Sequence, residues 1–168
     1  MVLPAEVLSK RKQFQKNLLK WAKGRTGGFP WRRELTPYRV LIAEALLRRT
    51  TAPAVSRIYE NVIENYPDVR SLAKADQARL RKQLLRIGLQ RTRASLLIKM
   101  AQYIVKNYGG KIPESRENLL KVPNIGPYAA SAILALGHGI PTAMVDSNVR
   151  RVIKRFLCKH LSQKPSES

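Results

Sequence analysis

The stretch from Leu119 to Arg151, LLKVPNIGPYAASAILALGHGIPTAMVDSNVRR, decides the fold. It opens as the end of a helical segment and then meets Pro123, Asn124, Ile125, Gly126 and Pro127. No helix crosses such a run without losing hydrogen bonds, so the break reads as a hairpin between two helices. From Tyr128 the residues turn small and apolar (Ala129, Ala130, Ala132, Ile133, Ala135, Leu136) until Gly137, Gly139 and Pro141. That pattern predicts a buried helix packed closely against its neighbours. Amides at the hairpin and at the start of the helix after it lack intrahelical acceptors, and together they form a concavity suited to a phosphate oxygen. Beyond the stop, Ala143, Met144 and Val145 lead into Asp146, Ser147 and Asn148, and then into the basic helix VRRVIKR at 149–155. The plainest reading of Asp146 is a helix N-cap. Its setting, with a phosphate-holding hairpin upstream and a cationic helix downstream, also makes it a candidate for chemistry.

The charge balance points the same way. Thirty-two Lys and Arg against eleven Asp and Glu give a formal net charge of +21, and the surplus recurs along the whole chain. A charge spread of this kind is an electrostatic footprint for nucleic acid, although it selects a class of partner and no reaction. No run of eighteen apolar residues occurs, and the N-terminus MVLPAEVLSKRKQFQK turns basic and polar at once. Neither a membrane span nor a signal peptide is therefore expected, and the chain reads as a soluble intracellular protein. Its single Cys158 excludes an internal disulfide and a thiolate metal site, and His138 and His160 complete no metal-ligand set.

The rest of the 168 residues reads as helices, enough for one ordinary domain or two small ones. Phe14, Leu18 and Trp21, with Val7 and Leu19, form an amphipathic stripe over 6–23 that ends at Gly24, before Gly27 and Gly28. An irregular aromatic and basic loop, FPWRR at 29–33, precedes Thr36 as an N-cap and Pro37 in a first helical turn. The helix from Tyr38 to about Arg49, YRVLIAEALLRR, is almost continuously apolar around Glu44. A carboxylate there is either ion-paired structurally or held for chemistry, with a pKa sensitive to its surroundings either way. Further helices are predicted from Pro53 to Tyr66, from Ser71 to Ala75, from Asp76 to Ile87 and from Arg91 to Tyr108, with Gly88-Leu89-Gln90 as a break. Gly109 and Gly110 end the last of these, and Pro113, Glu114 and Ser115 start the short helix into the hairpin. No segment has strand periodicity, so the fold class is all-α. Past Phe156 the sequence reads as a frayed tail.

Taken together, these segments resemble the helix-hairpin-helix DNA glycosylase superfamily, the endonuclease III-like proteins, from about Lys12 to Phe156. FPWRRELTPYRVLIAEALLRRTTA (29–52) is similar to the family's first pocket segment, and IGLQRTRA (87–94) to its glycine-centred wedge loop. VPNIGPYAASA (122–132) is similar to its hairpin and MVDSNVRRVIKR (144–155) to its catalytic aspartate segment. RRTTA at 48–52 and a Tyr after the hairpin look most like the thymine/uracil mismatch branch, and less like the adenine branch.

The resemblance implies an endonuclease III-like helical domain whose partner is double-stranded DNA with a mismatched or damaged base, acting as a monomer. It implies that Asp146 helps the glycosidic bond break, that Glu44 faces an extruded base, and that Tyr128 stands where bifunctional members carry a Schiff-base lysine. Base release without strand cleavage is then expected, with thymine or uracil mispaired with guanine as the substrate. An adenine glycosylase, or a truncated, catalytically weak DNA-binding remnant, are the competing readings. The hairpin from Val122 through Asn124 to Gly126, with Tyr128, would grip a phosphate. Leu89 or Gln90 would fill the hole left by the base, and Arg48, Arg49, Thr50, Arg91 and Arg150 would hold the DNA.

Two departures accompany the resemblance. Asn124 stands where the family usually has Gly, and Asn is the next most tolerant residue of a left-handed backbone. Most close relatives continue into a four-cysteine loop that holds an iron–sulfur cluster; one cysteine cannot bind it, so the sequence reads as C-terminally truncated and no cofactor is expected. Some family members carry a monovalent cation at the hairpin, and the resemblance allows one here. The expected organisation is an N-terminal helix at 1–28, deprived of its C-terminal partners and leaving apolar surface exposed, a helical domain at 29–142 with the hairpin at 119–137, and the aspartate helix start with its tail at 143–168.

Overall fold

A computed structural model of the chain describes residues 5–24 and 28–161. Gly27 and the end of the tail (162–168) lie outside the described residues, as do the side chains of Val7, Cys158 and His160. The described residues form ten α-helices and no strand. These are α1 (Ala5–Ala22), α2 (Pro37–Leu47), α3 (Ala52–Ser56), α4 (Tyr59–Asn65), α5 (Val69–Ala73), α6 (Gln77–Gln83), α7 (Gln90–Tyr108), α8 (Arg116–Lys121), α9 (Pro127–Ala132) and α10 (Ser147–Leu161). They divide into two compact units, one of Phe29–Met144 and the other of Met1–Gly28 with Val145–Ser168.

The caps read from the sequence are in place in the first of these units. Thr36 accepts from the Arg39 amide at 3.2 Å, Asp76 from the Arg79 amide at 2.7 Å, and Ser115 from the Asn118 amide at 3.2 Å. Each satisfies an amide that the helix start leaves without an intrahelical acceptor. Asp68 adds a reciprocal capping box with Ser71 at the start of α5. Gly109 ends α7 with φ of 60°, the left-handed conformation that a residue without Cβ adopts at little cost.

Packing in this unit explains where the helices differ from expectation. The helix predicted from Pro53 to Tyr66 is two, α3 and α4, separated at Ile58. The break lets buried Tyr59 meet Trp31 edge-on at 5.7 Å and donate its hydroxyl to the Arg39 carbonyl at 3.0 Å. Similarly, the helix expected to reach Ile87 ends at Gln83 and continues as a 3-10 turn, Leu85–Ile87, which buries Ile87 while Leu85 faces solvent. The helix after the hairpin widens from α9 into a π turn, Ile133–Gly137, in which the His138 amide reaches back to the Ile133 carbonyl at 3.0 Å. This turn packs on α2, where a Cβ on Gly137 would stand 2.7 Å from the Pro37 Cα. Leu41, Ile42 and Leu46 of α2 belong to one buried core with Leu97, Met100, Ile104 and Ile133. Each such side chain contributes roughly 1.5–3 kcal/mol by leaving water.

The other unit contains α1 and α10, joined by the rings of Phe14 and Phe156 with centroids 4.6 Å apart. Leu18, Leu19 and Trp21 on α1, and Val149, Val152 and Ile153 on α10, remain exposed, from 38% at Val149 to 68% at Leu19. Among the described residues, no helix is long and apolar enough to cross a membrane.

Candidate active site

The middle of α2 carries Glu44, the one acidic residue in its run of apolar neighbours. The helix faces the core on most sides, so Glu44 is half-buried and lines a cavity of about 230 Å³. Leu41, Ala45, Arg48 and Met100 close one part of this cavity, and the hairpin from Asn124 to Ala129, Tyr128 included, closes the rest. Among the described residues Glu44 makes neither an ion pair nor a hydrogen bond, so the structural ion pair considered for it is absent. Burial alone pushes its carboxyl up to about 7, since removing a carboxylate from water disfavours the charged form. At neutral pH the group is thus poised between donating and accepting a hydrogen bond.

Asn124, Ile125, Gly126 and Tyr128 all line the Glu44 cavity, and Val122 and Ile125 are buried and anchor the hairpin. Asn124 takes φ of 70°, as its place in a glycine position implies. The Arg48 guanidinium donates to its carbonyl at 3.2 Å and also to its side-chain oxygen. Arg48, expected at DNA, therefore also fixes the hairpin to the end of α2. Arg116 stitches the two arms of the hairpin, donating to buried Ser131 Oγ at 2.7 Å. The first turn of α9 opens at Gly126 and Pro127 without a side-chain cap, which leaves Tyr128 and Ala129 amides at the exposed rim.

α2 ends at Leu47 rather than Arg49, and Arg49 is itself left-handed, with φ of 53°. Leu89, in the loop expected to act as a wedge, is left-handed as well, at φ of 50°, and projects 56% exposed beside Gly88. Gln90 and Arg91 open α7, Gln90 partly buried and Arg91 exposed, while Thr50 closes a turn on the Leu47 carbonyl. Between α2, the wedge loop and the hairpin is a second cavity of about 210 Å³, lined by Arg48, Arg49, Leu89, Thr92, Arg93 and Asn124 among others.

The residue missed by sequence reading is Arg93. It is buried, and its guanidinium donates to the carbonyls of Ala45, Leu46 and Arg48, each at 2.9 Å. Ala45 and Leu46 lie in the last turn of α2, whose carbonyls lack intrahelical partners, and Arg48 is its C-cap. Its charge gave it the look of one more surface arginine, and only its place one turn into an amphipathic helix, next to Ala94 and in register with Leu97, could have flagged it.

Asp146 and Arg150 belong to the unit that contains α10. Asp146 Oδ1 caps α10 by accepting from the Val149 amide at 2.7 Å, and its Oδ2 accepts from Asn148 at 3.3 Å. It lines an open cavity of about 690 Å³ with Arg150, Arg151, Lys154 and Arg155, so one carboxylate sits on a cationic wall. The capping reading of this residue holds. Among the described residues no cluster of three or more His, Cys, Asp or Glu could hold a metal ion.

Residues 42–168 match the model of the HhH-GPD superfamily of base excision DNA repair proteins. The chain is 37% identical over 147 residues to the thymine/uracil-DNA glycosylase of Methanothermobacter thermautotrophicus, with 88% of this chain and 66% of that protein covered. It is 39% identical over 128 residues to the thymine-DNA glycosylase of Aeropyrum pernix, covering 76% of this chain and 57% of that one. The solved structure of a thermostable thymine-DNA glycosylase superposes with a TM-score of 0.84 at 37% identity, covering 88% of this chain and 68% of the other. The chain thus spans about two thirds or less of the length of the two curated relatives.

Proposed function

The chain belongs to the HhH-GPD superfamily of base excision DNA repair proteins, and on that premise we propose that it hydrolyses the N-glycosidic bond of thymine or uracil mispaired with guanine in duplex DNA. The observation that carries this reading is an unpaired, half-buried carboxyl, Glu44, held at the wall of a cavity whose other side is the hairpin from Asn124 to Ala129. A base inside a duplex is unreachable, and extruding it costs roughly a few kcal/mol, least at a mismatch. A G·T or G·U pair is therefore selected partly by its own weakness.

In the proposed reaction the bond between the base nitrogen and the sugar C1′ breaks, and the electron pair leaves with the base. Positive charge develops on the sugar, Asp146 stabilises it and orients a water, and the water oxygen bonds to C1′ while its proton passes to solvent or base. Glu44 meets the extruded base, where its protonated form donates to a carbonyl oxygen and its ionised form accepts from a ring N–H. Tyr128 carries no amine, so no Schiff base with the sugar forms and the abasic strand is left intact. Backbone amides of the hairpin, with Arg48, Arg49, Thr50, Arg91 and Arg150, hold the DNA, and Leu89 or Gln90 fills the vacated place. Among hairpin carbonyls, those of Val122 and Asn124 already accept from the Ile125 amide and from Arg48, and no step passes through a cation. An iron–sulfur cluster does not fit the single cysteine of this sequence.

The test is single-turnover base release from duplexes carrying G·T, G·U, adenine opposite oxidised guanine, or only normal pairs, with and without alkali. Alkali-dependent cleavage confined to T or U opposite G is the expected result. Release of adenine would move the chain to the adenine-excising reading, and binding without release from any duplex would reduce it to a DNA-binding module.

A further inference from the structure

We infer that Arg93 is a positioning residue that locks the Gly88-Leu89 wedge to the end of the Glu44 helix, so that insertion of the wedge and capture of the extruded base occur as one movement. The inference rests on the base-excision reading and extends it to a residue that touches no substrate.

Three observations carry it. Arg93 is only 7% exposed and spends most of its donors inside the fold, on Ala45, Leu46 and Arg48 at 2.9 Å and on the Gly88 carbonyl at 3.5 Å. One planar guanidinium therefore spans the last turn of α2 and the first residue of the wedge loop, and its fixed fork resists shear between them. The segments it joins are both left-handed at non-glycine residues, Arg49 at φ of 53° and Leu89 at 50°. Such backbone is costly and persists where surrounding bonds over-determine it. Finally, Arg48, whose carbonyl Arg93 holds, donates to Asn124 of the hairpin, so the wedge, α2 and the hairpin meet at a single helix end. Leu89 and Glu44 then stand at a fixed spacing before DNA arrives, which removes an ordering cost from the extruded complex.

A residue that merely stabilised the fold would affect every substrate alike, and the test separates the two roles. Wild type, Arg93→Lys and Arg93→Met are compared on uracil opposite guanine and on uracil opposite an abasic analogue, where no pair has to be broken. Arg93→Met is expected to release uracil from the G·U pair at least about tenfold more slowly than wild type but from the unpaired site within about threefold, with Arg93→Lys between. Equal slowing on both duplexes overturns the inference. A second reading needs no catalysis: 2-aminopurine beside a G·T mismatch brightens when wild type unstacks the site, and Arg93→Met is expected to bind without brightening it. Equal brightening by both proteins also overturns the inference. If Arg93→Met does not fold, Arg93→Lys carries both measurements. Arg93-dependent brightening without base release by wild type on any duplex would sink the glycosylase reading and leave the role of Arg93 standing.

Discussion

Glu44 shows how far a single residue can be read from its neighbours. Its apolar surroundings in YRVLIAEALLRR announced a desolvated carboxyl, while the choice between an ion pair and a held acid depended on where the arginines point. Arg48 turns to Asn124 and Arg93 to the helix carbonyls, so Glu44 is left without a partner and its carboxyl rises to about 7. The folded state then favours the neutral acid, and the stability this gives is complete below the unfolded value of 4.5 and is lost as pH rises through about 7. Glu44→Gln has no such dependence. Its unfolding free energy relative to wild type, followed from pH 4 to 8, is expected to rise between about 4.5 and 7 and to level off on the order of 2–3 kcal/mol higher above pH 7. Parallel pH profiles would show that the carboxyl is solvated or paired in solution. Asp146 lends itself to a cleaner substitution. Asn caps helices about as well as Asp, so Asp146→Asn should be within about 1 kcal/mol of wild type in stability while lacking the charge that the proposed reaction requires. Arg93 was hard to read because only its register with Leu97 on the apolar side of α7 separates a buried guanidinium that caps a distant helix from one that faces a phosphate.

At the level of elements, legibility followed the range of the interaction that fixes each one. Thr36, Asp76 and Ser115 cap their own helices, Gly109 ends α7, and Asn124 occupies a left-handed position, all through contacts within a few residues. The break at Ile58 and the π turn at Ile133–Gly137 arise instead from packing on α2 and Trp31, which no local pattern encodes. The π turn carries a direct test. Gly137 has no Cβ because Pro37 backbone occupies that space, with Cα 2.7 Å and N 3.1 Å from where the carbon would lie. Neither atom can swing aside as a flexible side chain would, so Gly137→Ala is expected to destabilise the protein by about 1–3 kcal/mol. A chemical-denaturation midpoint equal to that of wild type would mean the π turn is not held against α2. The same substitution at Gly126, whose added Cβ meets nothing within 4 Å, serves as the space control.

Across the whole molecule the governing quantity is the net charge of +21, spread over both units. Lysines and arginines that neutralise phosphates release counterions, so duplex affinity is expected to fall by on the order of 10³ between about 50 and 200 mM salt. A flat response in a filter-binding or anisotropy titration would count heavily against a nucleic-acid partner. The all-α class was readable from helical periodicity and the lack of strand patterns, and the hairpin from its prolines and glycine, but the pairing of the two chain ends in one unit was less so. Phe14 and Phe156 lie at opposite ends of the sequence, and their contact leaves Leu19, Trp21 and Val152 exposed.

What unites these scales is the proposed base release, for which Asp146 is the proposed catalytic carboxylate. Single-turnover release of thymine and uracil from G·T and G·U duplexes, run with wild type beside Asp146→Asn at matched DNA occupancy, tests it. The expected result is alkali-revealed cleavage by wild type that falls by at least about a hundredfold in the variant, with melting temperature and duplex affinity nearly unchanged. Release at the wild-type rate by Asp146→Asn would contradict the assignment and return that residue to a helix cap alone.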